Sequence, residues 1–135
     1  MENKNLNSEI GNILLKTAEI INLLNEVIIL YLKVGVSEQE IFKETFLYNL
    51  NTLNKSKLVS KLIFSEVEKF KNDCNRLFEI RNLLAHSEPC FYKCIKDNKE
   101  KKNIDIDKLF EEFENLYNKV YNHLFDYYSN CLTTN

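Results

Sequence analysis

The run IGNILLKTAEIINLLNEVIILY, residues 10–31, decides the fold. Its apolar positions are Ile10, Ile13, Leu14, Ile20, Ile21, Leu24, Val27, Ile28 and Tyr31, with Thr17 completing the series. The steps are three and four throughout, which draws one apolar stripe along an α-helix, because a helix returns to the same face every 3.6 residues. Asn7 or Ser8 can cap the start. Gly35 lies just past the last periodic residue, where helices commonly stop at a glycine. A first helix over residues 7–34 follows, long but suited to a bundle.

The same periodicity carries down the chain. Ser37 and Glu40 have the spacing of a capping box, and Ile41, Phe42, Thr45, Phe46 and Leu50 then give a second helix that ends near Leu53 or Asn54. Ser56 can cap a third, with an apolar face of Leu58, Leu62, Ile63, Val67, Phe70, Cys74, Leu77, Phe78, Leu83 and Leu84. Pro89 ends it, because proline disfavours helical geometry in the residue before it. Phe91, Tyr92 and Ile95 allow a short extra helix begun by Pro89. The stretch from Asp97 to Asn103 reads as a loop. Asp105 or Asp107 caps a last helix whose core face is Leu109, Phe113, Leu116, Val120, Leu124 and Tyr127. The expected fold is all-α: one domain over residues 1–135, an antiparallel four-helix bundle with room for a short extra helix after residue 89.

Composition agrees. Two glycines and one proline leave few turns, so elements must be long. The net charge of -2 lacks the basic excess of a general nucleic-acid binder, but allows a local basic site. The N-terminus carries no signal-peptide pattern, and the most apolar run, residues 27–32, is too short to span a bilayer. No membrane partner is expected. Cys74, Cys90, Cys94 and Cys131 form no dense framework and read as reduced thiols of a cytoplasmic protein. His86, Cys90 and Cys94 fall at four-residue steps, with His123 as a conceivable fourth ligand. Pro89 breaks that alignment and paired Cys-x-x-Cys knuckles are missing, so no metal site is expected.

Chemistry concentrates in Arg81-Asn82-Leu83-Leu84-Ala85-His86, at the end of the third helix. Arginine brings a fixed charge and a forked donor set that matches phosphate, and histidine a group that exchanges protons near neutral pH. Asn82 and His86, four apart, share a helix face, so Asn82 is expected to orient the imidazole, with Arg81 at the edge of that face. A helix C-terminus favours an imidazolium by roughly 0.3–1 kcal/mol. RNA cleavage through the ribose 2′-hydroxyl needs a base, an acid and a cation at the phosphate. One chain offers one such histidine and one such arginine, whereas a two-fold homodimer offers two of each. The plainer alternative pairs Arg81 with Glu79 or Glu88 and makes His86 a helix cap. Beyond the motif, Lys93 and Lys96 could contact RNA phosphates and Tyr92 could stack on a base. The phenylalanines and tyrosines of the last helix surround it almost completely, so part of that surface is expected to meet another chain or to be wrapped by the first helix.

The run Glu79-Ile80-Arg81-Asn82-Leu83-Leu84-Ala85-His86, late in a long helix of an all-helical chain, resembles the Arg-x4-His signature of the HEPN (higher eukaryotes and prokaryotes nucleotide-binding) superfamily. The resemblance implies metal-independent RNA cleavage, with no cofactor, in a cleft between two protomers. Arg81 and His86 would be catalytic and Asn82 supporting. It also implies a setting in toxin–antitoxin or phage-defence systems, with an antitoxin or nucleotidyltransferase as partner. In one branch a tyrosine stands two residues after the histidine; here that residue is Glu88. Other members only bind partners, so a non-catalytic bundle that binds a protein or a nucleotide is the alternative.

Overall fold

The computed structural model describes residues 3–63, 67–85 and 106–134. Their regular structure is helical, without a strand among the described residues: α1 (Asn3–Leu32), α2 (Gln39–Thr45), α3 (Thr52–Ile63), α4 (Val67–Ala85) and α5 (Ile106–Thr134). Two 3-10 turns, Val36–Glu38 and Leu47–Asn49, flank α2. The fold is the expected all-α bundle.

Paired side chains fix how the helices run. Lys16 meets Glu114 at 2.7 Å and the Tyr117 hydroxyl donates to Glu19 at 2.6 Å, so α1 and α5 lie side by side in the same direction. Arg76 meets Glu112 at 2.7 Å while the Phe70 ring faces His123, so α4 runs against α5. The segment after α1 turns back down beside it, since Lys43 reaches Glu26 and Thr52 shares a groove with Thr17 and Ile21. Neighbours along the chain are therefore antiparallel, and α1 and α5 become parallel because a broken, descending segment separates α1 from α3.

The core follows the sequence periodicity. Ile13, Thr17, Ile20, Leu24, Val27 and Ile28 of α1 are buried, as are Leu109, Phe113, Leu116, Val120 and Leu124 of α5. Each fully buried large apolar side chain stabilises the fold by roughly 1.5–3 kcal/mol. Leu14 and Tyr31 depart from the expected stripe, at 37% and 40% exposed, because they sit on its margins.

Four local expectations are corrected. The third helix is not continuous: Ser56 Oγ lies 3.3 Å from Asn75 Oδ1, whereas nineteen residues of one helix would span about 28 Å. α3 and α4 are an antiparallel pair. Ser56 does not cap α3 but is fully buried within it, donating to the Leu53 carbonyl; Asn51 is the cap, its Oδ1 accepting the Asn54 amide at 2.8 Å. The Ser37–Glu40 box does not form, and α2 starts without a side-chain cap. Gly35 does not stop α1. Lys33 takes the left-handed conformation, φ 57°, with Val34 N–H bonded to Ile29 O and Lys33 N–H to Leu30 O, both at 3.2 Å. That is the bond pattern of a Schellman motif with lysine where glycine is usual.

Candidate functional site

α4 buries Phe70, Cys74, Leu77, Phe78, Ile80 and Leu84, which turns Arg81 and Asn82 outward near its C-terminal end. Arg81 is partly exposed and Asn82 exposed. Arg81 Nη1 donates to Asn82 Oδ1 at 3.1 Å. Asn82 thus steadies the guanidinium; the expected contact of Asn82 with the His86 imidazole lies outside the described residues. Asn82 also lines a groove beside Arg81, and its amide NH2 is a donor group. His86, Tyr92, Lys93 and Lys96 lie outside the described residues, as does the expected short helix near Pro89.

Of the two acids that the plainer alternative pairs with Arg81, Glu79 is engaged elsewhere and Glu88 lies outside the described residues. Glu79 binds Arg76 Nη1, and Arg76 closes a two-pronged pair with Glu112, Nε to Oε2 at 2.7 Å and Nη2 to Oε1 at 2.9 Å. The Glu112 hydrogen bond holds Arg76 more firmly protonated than usual, and the same bond holds the Glu112 carboxyl below the ordinary carboxylate range. Among the described residues no carboxylate forms an ion pair with Arg81.

Arg81 and Asn82 border a groove of about 280 Å³ between α1, the start of α3 and α4. Its walls are Leu14, Ala18, Ile21 and Phe78, and Thr52 stands at the α3 side. A wider groove of about 640 Å³ lies on the other side of Asn82, bordered by Asn51, Leu53, Asn75, Glu79 and Leu83. Sequence reasoning missed Thr52 and the α1 wall. The periodicity places Thr52 inside a second helix and Leu14 in the core, whereas α2 ends at Thr45, Thr52 opens α3 and Leu14 is exposed. The available signal was Asn51, a strong cap residue just before an amphipathic run.

Other features fall away from this end. His123 is exposed on α5 with its ring 6.3 Å from Phe70, about 16 Å along α4 from Arg81. The aromatic girdle of α5 is partly wrapped by α1. Phe113, Tyr117, Tyr121 and Phe125 stack in sequence at 5.5–6.5 Å, with the Lys16 ammonium 5.0 Å from the Tyr117 ring centre. Burial, then the Glu19 bond, raises the Tyr117 pKa. Burial likewise pushes the Cys74 thiol up, which makes it an unreactive core residue. No cluster of three metal-binding side chains occurs among the described residues, and none of their helices is long and apolar enough to cross a membrane.

No protein-family model, curated protein or solved structure matches the chain.

Proposed function

We propose that the protein is an endoribonuclease of HEPN type, active as a homodimer. Arg81 holds the scissile phosphate, Asn82 positions Arg81, and His86 exchanges the protons. One imidazole takes the proton of the 2′-hydroxyl, whose oxygen attacks the adjacent phosphorus. The guanidinium stabilises the charge that builds on the phosphorane. The bond to the 5′-oxygen breaks, and the second imidazole protonates that oxygen. The products are a 2′,3′-cyclic phosphate and a 5′-hydroxyl. Two imidazoles require two chains, hence the dimer. A cytoplasmic toxin–antitoxin or phage-defence setting follows from the same resemblance, with an antitoxin or nucleotidyltransferase as regulator. Lys93, Lys96 and Tyr92 are the proposed RNA contacts beyond the motif.

The observation that carries the reading is that Arg81 has no ion pair among the described residues. An arginine kept only for structure would find an acid, as Arg76 does; Arg81 binds a neutral amide and faces a groove. Expression in a bacterial host tests the proposal. The wild type arrests growth, and His86→Ala relieves the arrest while keeping a cooperative melt. Light scattering shows a dimer for both. Equal growth inhibition by the two proteins, or a strict monomer, defeats the reading.

The alternative, a partner-binding module, draws on a different surface. The segment between α1 and α3 leaves Val36, Ile41 and Tyr48 between 62% and 88% exposed. Such apolar side chains in one segment suit a protein contact. Under that reading His86→Ala changes nothing in the growth assay.

A further inference from the structure

The smaller groove beside Arg81 has features that the ribonuclease proposal does not use. Its walls carry apolar side chains: Leu14, Ala18 and Ile21 from α1 and Phe78 from α4. Its rim is polar, with Thr52, Arg81 and Asn82. Among the described residues no carboxylate lines it, whereas the wider groove across Asn82 contains Glu79. The Thr17 hydroxyl is already bound to the Ile13 carbonyl at 2.8 Å, so along the α1 wall it adds no free donor. Apolar walls with a few converging donors are the usual make-up of a small-ligand site. The volume, about 280 Å³, is at the small end of such sites, which run from roughly 300 Å³ upward. It suits one planar ring with its sugar.

We propose that this groove is a nucleoside subsite: it takes one base of the RNA, with its ribose, while the phosphate attached to that ribose lies on Arg81. The inference rests on Arg81 being a phosphate ligand, as in the proposed function, and adds the part of the substrate read by the protomer itself. The base lies flat against Leu14, Ala18 and Phe78, and its edge meets the Thr52 hydroxyl and the Asn82 amide NH2. Arg81 is steadied from behind by the Asn82 oxygen, so the guanidinium keeps donors for the phosphate. The arrangement makes the groove a determinant of which nucleotide stands beside the cleaved bond.

Titration with nucleoside 3′-monophosphates, followed by NMR and calorimetry, tests the subsite without requiring cleavage. The wild type binds at least one of the four more tightly than it binds the matching nucleoside or inorganic phosphate. Amide shifts concentrate at residues 14–21, at Thr52 and at residues 78–82. Ala18 is exposed, so Ala18→Phe fills the groove without disturbing the core; it lowers that affinity on the order of tenfold or more. Thr52→Val changes the ranking of the four nucleotides while leaving the melt unchanged. Shifts that map elsewhere, or full affinity in Ala18→Phe, overturn the subsite. The two readings fail separately. An RNA-cleaving wild type with an unaffected Ala18→Phe variant loses only the subsite. A wild type that binds nucleotide in the groove but cleaves nothing loses only the nuclease.

Discussion

Two arginines five residues apart on α4 show what the fold uses for itself and what it leaves over. Arg76 faces α5, where Glu112 takes two of its donors and Glu79 a third. Arg81 lies beyond the part of α4 that these acids cover, and among the described residues its guanidinium donates to the amide oxygen of Asn82. Same helix, same side chain, opposite circumstances: one guanidinium is held by two protein acids and clasps two helices, while the other borders a groove whose described lining lacks a carboxylate. Charge held in place without a protein counter-ion is the setting in which an anionic ligand gains most.

The largest expected contrast follows directly. Arg81→Ala lowers RNA cleavage by about 10²–10³-fold, the usual cost of losing a donor to a developing anion, and moves the melting temperature little. Arg76→Ala does the reverse: cleavage per folded molecule is unchanged, and urea unfolding gives a loss of about 1 kcal/mol, since the pair is partly exposed and screened. Equal effects of the two substitutions on stability would erase the distinction. Asn82→Ala should fall between, lowering cleavage about tenfold by freeing the guanidinium to wander, with a rise in KM for RNA.

A smaller effect sharpens the structural half. Lys33 holds a left-handed backbone at the end of α1, a conformation that costs a non-glycine residue about 1 kcal/mol relative to glycine. Lys33→Gly should therefore raise unfolding free energy by about 0.5–1 kcal/mol. An unchanged or lowered value would contradict the Schellman bonds at Val34 and Lys33.

The smallest effect is in pH. Arg76 depresses the Glu112 carboxyl in the folded state, first by hydrogen bonding and then by charge. A depressed carboxyl contributes stability that is fully present above its unfolded pKa, about 4.3, and is lost as pH falls through the lower folded value. Glu112→Gln should flatten the acid limb of the stability curve below about pH 4.3 and leave the region near pH 7 parallel to wild type. A steeper acid limb would show that the clasp is not what titrates.

The same contrast explains what could be read from sequence. The α5 stripe was legible because Leu109, Phe113, Leu116, Val120 and Leu124 all face one core, so the spacing translates into burial without loss. The α3–α4 reversal was not. Leu62, Ile63, Val67 and Phe70 keep helical spacing across it, and no glycine or proline interrupts residues 56–85. The one sequence mark of a new helix there is Ser65 followed three residues later by Glu68, the spacing of a capping box. The site divides in the same way. Local spacing singled out Arg81 and Asn82 as neighbours. It could not give the groove, because Leu14, Thr52 and Phe78 come from three helices whose meeting depends on that reversal. Nor could it tell which arginine the acids would claim, since Glu79 lies three residues after Arg76 and two before Arg81, and Glu112 is distant in sequence.

Cleavage of a defined RNA by the purified protein in excess chelator, with wild type, Arg76→Ala and Arg81→Ala compared at equal folded concentration, bears most directly on the Arg81 guanidinium as phosphate ligand. Wild type and Arg76→Ala should yield fragments ending in 2′,3′-cyclic phosphate at the same rate, and Arg81→Ala almost none. Fragments from Arg81→Ala at the wild-type rate, or intact RNA in every lane, would contradict the account.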